Sequence, residues 1–169
     1  MAQQRPELLR KLILAEPGGD LDGSLAVADT PAPSRPQLRA HVAAAAEKIA
    51  TGDIDGGLNY FWDAIEGQGA WPRLSAAAKQ GLRDNALTLL GQINEARQPY
   101  SRADAESIRV PTLFIGGEDT TGSLPRVLRA LAAHVQGARV AMIPHATHMM
   151  FEDDPVRFCG AVLDFLEAS

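Results

Sequence analysis

The residues best suited to chemistry are an acid pair and a histidine that follow two predicted strands near the end of the chain. Glu118 and Asp119 come directly after the apolar run 110–117, and His148 follows the next apolar run, 138–143. The carboxyl ends of parallel strands meet at one edge of a sheet. Imidazole titrates near neutrality, which suits a general base, and a carboxylate can fix its tautomer. The pattern therefore predicts an acid–base pair at the carboxyl edge of an α/β sheet.

A nucleophile for this pair is not evident in the sequence. No Gly-x-Ser-x-Gly elbow occurs in the chain, and no serine lies between glycines. Cys159 falls in a predicted helix, where a packed thiol is favoured over a nucleophile. A metal site built from His145, His148 and Glu152 is an alternative, but no helix is expected to hold that spacing in register. We expect neither a metal nor a cofactor.

Composition limits the classes of partner. The 169 residues are enough for one domain with a core, and 46% apolar and 22% charged residues are ordinary for a globular protein. A net charge of −5 argues against nucleic acid and against an anionic membrane surface as partners. A single cysteine and the absence of a signal-peptide pattern favour a cytoplasmic location.

The elements that must position the acid and the base form an interrupted α/β pattern. Residues 9–15 predict a short buried strand that Pro17-Gly18-Gly19 ends, and 20–34 predict a loop. Three runs of apolar residues at helical spacing follow, at 36–52, 58–65 and 74–93, and the third allows a break. Ser101-x-x-Asp104 predicts a capped helix start. The remaining predicted elements are strand 110–116, helix 124–134, strand 138–143 and a last helix with Asp154 as its N-cap and Pro155 as its first residue.

Taken together, these segments resemble the C-terminal half of an α/β-hydrolase-fold enzyme. The resemblance rests on residues 5–14, on the block 110–119, and on His148 followed by Glu152 and Pro155. It implies a partial α/β-hydrolase fold with about three parallel strands, flanking helices and an inserted helical cap. The core would comprise residues 1–19 and 106–169, and the cap would comprise residues 20–105.

The resemblance also implies a hydrolase acting on a small-molecule ester or a related substrate, in the manner of an esterase. In that family a histidine in this loop takes the proton of the nucleophile, which assigns the base to His148. Asp119 is the favoured orienting acid. Glu16 is the alternative, because some members use an acid at the end of the sixth strand. Candidate substrate-binding residues are Met149, Trp62 and Trp71, although core packing is the competing interpretation for Trp62.

The family's first five strands, its oxyanion-hole loop and its nucleophile elbow have no counterpart in this sequence. We therefore expect a truncated chain whose nucleophile comes from elsewhere. A non-catalytic binding or assembly module is the alternative function. In the family the strand at 9–15 has a neighbour that is missing here, and a free strand edge invites pairing with another chain. We expect a homodimer, or self-association, through the exposed edge of strand 9–15.

Overall fold

The structure is a computed structural model that describes residues 2–25, 35–93 and 98–168, without the side chains of 35–39 and 66. It divides into two compact units. The first consists of Met1–Thr30 and Gln98–Ser169, and the second is Pro31–Arg97. The second unit is shorter than the predicted cap, which was expected to comprise residues 20–105. Its role as a cap stays a prediction.

The first unit contains a parallel sheet of three strands. The strands are β1 (Leu12–Ala15), β2 (Thr112–Gly117) and β3 (Arg139–Ile143). The order is β1-β2-β3, with both pairs parallel, which confirms the predicted three-stranded parallel sheet. Ile13 is in register with Leu113, and Leu113 with Arg139.

The first two strands begin later than the apolar runs suggested. Pro6–Leu8 forms a 3-10 turn. The N–H of Leu9 donates to Pro6 O and closes this turn, so the strand cannot start at residue 9. The Leu12 N–H, which donates to Pro111 O at 2.9 Å, opens the pairing between β1 and β2. Proline has no N–H to contribute to a sheet, which is consistent with β2 starting one residue after Pro111.

Two helices cover the two faces of this sheet. Helix α7 (Leu124–Ala132) packs against the face that carries Leu14 and Phe114, and helix α9 (Pro155–Glu167) packs against the face of Ile13 and Ile115. All six residues of β2 are buried, as expected for a central strand covered on both faces. The sheet is therefore the rigid base on which the loops at its carboxyl edge are built.

Hydrogen-bonded caps fix the ends of the flanking helices. Helix α6 (Arg102–Ser107) begins with the predicted capping box, in which Ser101 and Asp104 exchange side-chain and backbone hydrogen bonds. Asp154 accepts the Arg157 N–H at 2.9 Å, so α9 has the predicted N-cap. The short helix α8 (Met150–Asp153) between β3 and α9 was not predicted, because four residues are too few to show helical spacing.

The second unit is helical where the structure describes it. The long helices α1 (Arg35–Ala50) and α2 (Ile54–Glu66) match the first two predicted helical runs. The third run is broken, as the sequence allowed, into α3 (Ala70–Arg73), α4 (Ala76–Asp84) and α5 (Thr88–Gln92). Residues 26–34 of the predicted loop 20–34 lie outside the described residues.

Candidate active site

The candidate site lies at the carboxyl edge of the three-stranded sheet. Glu16 directly follows β1, Glu118 and Asp119 directly follow β2, and the loop 144–149 follows β3. Because the strands are parallel, all three connections leave the sheet at the same edge, as the sequence predicted. The edge thus collects the imidazoles of His145 and His148 and several carboxylates, from segments that are far apart in the chain.

Glu16 is a buried acid held in an unusual backbone conformation. Only 2% of the residue is exposed, and its φ angle is 40°, in the left-handed region that residues with side chains rarely adopt. Its backbone N–H still donates to Ile115 O at 3.0 Å, so the strand pairing reaches as far as this residue. The turn therefore begins at Glu16 itself, and the side chain is directed inward rather than into solvent.

Both carboxylate oxygens of Glu16 are hydrogen bonded. Oε1 accepts the backbone N–H of Gly117 at 3.0 Å, and Oε2 lies 2.7 Å from Nδ1 of His148. The Glu16 side chain is inaccessible to solvent, whereas the His148 side chain is 30% exposed. Burial of a carboxylate is costly unless hydrogen bonds or an opposite charge compensate it, and these two contacts provide that compensation.

This geometry fixes the proton on the imidazole. An ionised carboxylate can only accept hydrogen bonds, so Nδ1 of His148 must be the donor. The neutral ring then carries its lone pair on Nε2, which is the atom able to take a proton from a nucleophile. A carboxylate beside the ring also stabilises the imidazolium that such a transfer creates. The Glu16–His148 pair has the arrangement of a general base and its orienting acid.

Gly117 is required for the two loops to approach each other. A Cβ atom at this position would lie 2.2 Å from Ala146 O and 2.4 Å from Thr147 O, well inside contact distance. Only glycine allows the histidine loop to pack on the end of β2 while the same residue donates its N–H to Glu16. This role was not predicted from the sequence, although the Gly116-Gly117 pair at a strand end is a visible signal.

The histidine loop is fixed by hydrogen bonds to its neighbours. Asp119 N–H donates to Ala146 O at 2.9 Å, which attaches the loop to the segment after β2. Asp153 Oδ2 accepts both the backbone N–H and the hydroxyl of Thr147, each at 2.7 Å. His145 has a φ angle of 57°, and this left-handed residue turns the chain at the start of the loop. These contacts hold His148 in place against Glu16.

The structure brings His148 together with Glu16, the alternative acid, by a direct side-chain hydrogen bond. Asp119, the acid favoured from the sequence, is exposed. Its hydrogen bond to Ala146 O is made by its backbone N–H. Thr120 is 8% exposed, and its hydroxyl oxygen has no hydrogen-bond partner among the residues that the structure describes.

The predicted substrate-binding residues fall in both units. Met149 directly follows His148 in the first unit and is partly exposed, and its N–H donates to Thr147 Oγ1 at 3.2 Å. Trp62 and Trp71 belong to the interior of the second unit, where they are 9% and 8% exposed. The Trp71 ring also lies near two cations in that unit, Lys79 and Arg83. Substrate contact by these three residues stays a prediction.

The other reactive groups were also located. Across residues 2–25, 35–93 and 98–168, no group of three or more His, Cys, Asp or Glu side chains is arranged to hold a metal ion. Cys159 is exposed on helix α9, whereas the sequence favoured a packed thiol. Within the same ranges, no helix has the length and apolarity needed to cross a membrane.

Comparison with known proteins places this geometry in context. A family model described as the alpha/beta hydrolase family matches residues 1–161. Among solved structures, the chain is similar to a hydrolase from Pseudomonas aeruginosa PA01, with a TM-score of 0.70 and 24% identity over 99% of this chain and 59% of that one. No curated protein matched the sequence.

Two further solved structures show the same fold. The enol-lactonase from Burkholderia xenovorans LB400 has a TM-score of 0.67 and 18% identity over 99% of this chain and 60% of that one. A thermophilic esterase from Thermogutta terrifontis, solved with malate bound, has a TM-score of 0.67 and 18% identity over 98% and 58%. The chain thus spans about three fifths of the length of the solved structures it matches.

Proposed function

Because this chain belongs to the alpha/beta hydrolase family, we propose that it carries the acid–base half of a hydrolase active site, with His148 as general base. Glu16 is the acid that orients it. The substrate is a small ester or a related molecule such as a lactone. The observation that carries the proposal is the 2.7 Å contact between His148 Nδ1 and the buried Glu16 carboxylate.

The proposed mechanism is nucleophilic catalysis. His148 Nε2 takes the proton of a nucleophile as that nucleophile attacks the substrate carbonyl, and Glu16 stabilises the resulting imidazolium. The proton then passes from Nε2 to the leaving group, which departs and leaves the acyl group on the nucleophile. Water, deprotonated by the same Nε2, then releases the acid and restores the nucleophile. A buried carboxylate is suited to this role because the Glu16 side chain is shielded from water. The attraction between carboxylate and imidazolium is stronger there than it would be in water.

The nucleophile is the part of the site that this sequence does not supply. Its 169 residues contain no Gly-x-Ser-x-Gly motif. In this proposal a polypeptide segment outside these residues, or a partner chain, brings the nucleophile to His148. The substrate-contacting residues on this chain are proposed to include Met149, since it directly follows the base.

A test of this proposal is hydrolysis of short-chain p-nitrophenyl esters by the purified chain. Wild type is compared with His148→Ala, and with His134→Ala as the matched control, because His134 is a partly exposed histidine of the same unit. Turnover that is lost only in His148→Ala supports His148 as the base, and it would also place a nucleophile within these 169 residues. Turnover that His148→Ala leaves unchanged contradicts it, because the base would then lie elsewhere.

The second candidate is a non-catalytic binding or assembly module with the same fold. The observation that favours it is the missing nucleophile motif. The two candidates differ in what an added nucleophile does. If the chain is inactive alone, mixing it with a family fragment that carries the elbow should produce turnover that depends on His148. An inert mixture in which the two parts demonstrably associate favours the non-catalytic module.

A further inference from the structure

The segment that carries His148 is anchored in the apolar core at both of its ends. Ala146 and Met150 are completely buried, and both belong to the apolar cluster on the sheet face that α9 covers. Only residues 147–149 lie between these two anchors. The anchors fix where the segment lies, and its own hydrogen bonds fix the direction of its peptide groups.

One carboxylate oxygen of Asp153 accepts both donors of Thr147. Its Oδ2 lies 2.7 Å from the Thr147 backbone nitrogen and 2.7 Å from the Thr147 hydroxyl oxygen. Because the hydroxyl gives its proton to Asp153, its oxygen is left as an acceptor, and it accepts the N–H of Met149 at 3.2 Å. Asp153 therefore holds the peptide group before Thr147 directly, and through the hydroxyl it holds the peptide group that follows His148.

The backbone of helix α8 fixes the position of Asp153 in turn. The Asp153 N–H donates to Met149 O at 2.9 Å, and the Asp154 N–H donates to Met150 O at 3.1 Å. The acceptor thus returns to the segment from which the helix starts. The side-chain and backbone hydrogen bonds together close a ring over residues 147–153, with the histidine inside it.

From these contacts we propose that Asp153 is a positioning residue for the base, and that the site requires its acceptor oxygen rather than its negative charge. The inference rests on the proposed function, in which His148 takes the proton of a nucleophile. The direction of an imidazole follows from the backbone that carries it. Without Asp153 Oδ2 the flanking peptide groups are free to rotate, and His148 Nδ1 is no longer directed at Glu16 Oε2.

The acceptor oxygen and the charge can be separated because both hydrogen bonds end on the same oxygen, Oδ2. In Asp153→Asn the amide oxygen can take that position and accept both donors, while the NH₂ group takes the place of Oδ1. Asp153 is exposed, so water weakens the effect of its charge on the ring. Asp153→Ala removes the acceptor altogether.

Long-range proton–nitrogen correlations of the His148 imidazole test the role of Asp153 without any need for turnover. Wild type should carry the proton on Nδ1. In Asp153→Ala the share of the ring protonated on Nδ1 should fall at least twofold, because a ring released from Glu16 can carry its proton on either nitrogen. Asp153→Asn should keep the wild-type spectrum. Glu152→Ala is the matched control, since Glu152 is the neighbouring exposed acid of α8, and it should also keep that spectrum.

Two variants of Thr147 test the same hydrogen bonds from the donor side. Thr147→Val removes the hydroxyl and nearly keeps the shape, so the Nδ1 share should fall as in Asp153→Ala, whereas Thr147→Ser keeps the hydroxyl and should resemble wild type. A wild type protonated on Nε2 would refute the Glu16–His148 pair, and the proposed function with it. If wild type carries the proton on Nδ1, an unchanged spectrum in Asp153→Ala, or an Asp153→Asn that behaves like Asp153→Ala, would overturn the role of Asp153 alone.

Discussion

Replacement of Gly117 by alanine should displace the histidine loop and uncouple His148 from Glu16. The added Cβ would lie 2.2 Å from Ala146 O, and real contacts of this kind are not found below 3.0 Å. The loop backbone must therefore retreat by roughly 0.8 Å. A retreat of that size away from β2 lengthens the 2.7 Å contact between Nδ1 and Oε2 to about 3.5 Å, where a hydrogen bond is lost.

The expected loss of stability combines two effects. Overpacking of a buried site costs about 1–3 kcal/mol, and loss of a hydrogen bond to a charged group costs about 1.5–3 kcal/mol. Because partial relaxation reduces both, we expect the free energy of unfolding to fall by about 3 kcal/mol. The rate of ester hydrolysis that depends on His148 should also fall, because the displaced loop no longer holds His148 against Glu16.

Urea denaturation of Gly117→Ala measures this effect, with Gly160→Ala as the matched control. Gly160 lies inside helix α9, and a Cβ there would meet nothing within 4 Å. Alanine favours a helix over glycine, so Gly160→Ala should raise stability by about 0.5–1 kcal/mol. If Gly117→Ala unfolded at the same urea concentration as wild type, the steric argument for this glycine would be refuted.

Two further predictions concern the first unit. The Lys11 ammonium donates to the last carbonyls of α9, including Phe165 O. Lys11→Met keeps the aliphatic stem but removes these hydrogen bonds, so the free energy of unfolding should fall by about 1–2 kcal/mol in urea denaturation. An unchanged urea midpoint would contradict this. The hydroxyl and backbone N–H of Ser101 hold the pKa of Asp104 below its usual value. Because the folded pKa is depressed, its contribution is present at neutral pH and is lost as the pH falls below about 4. The stability difference between wild type and Asp104→Asn should shrink over that range in acid titrations, and a difference independent of pH would be the contrary result.

Much of the fold could be predicted because strands and helices leave periodic patterns. The continuous apolar run before Gly116 predicted a buried strand, and every residue of β2 is buried. The order of strands and helices after residue 110, together with the motif spacing, was enough to identify the family. The strand starts were less certain, because a 3-10 turn before Leu9 has no pattern of its own.

The identity of the acid beside His148 could not be predicted from the pattern. Asp119 and Glu16 both follow strands, so both belong at the same edge of the sheet. The choice depends on the left-handed backbone of Glu16, which directs its side chain inward, and on the close approach that Gly117 allows. A single backbone angle of this kind leaves no periodic trace in the sequence.

The most direct test of the Glu16–His148 pair is the tautomer of His148, read from long-range proton–nitrogen correlations of its imidazole. Wild type should carry the proton on Nδ1. In Glu16→Gln, Gly117 N–H still requires the amide oxygen, so the amide NH₂ faces His148 and forces the proton onto Nε2. A wrong tautomer of this kind costs a catalytic triad about 10⁴ in rate.

Asp119→Asn is the matched control, because it makes the same chemical change at the exposed acid. We expect a change of tautomer in Glu16→Gln and a spectrum like that of wild type in Asp119→Asn. A tautomer that responds to Asp119→Asn and not to Glu16→Gln would contradict the assignment of Glu16, because Asp119 would then be the acid that orients the base.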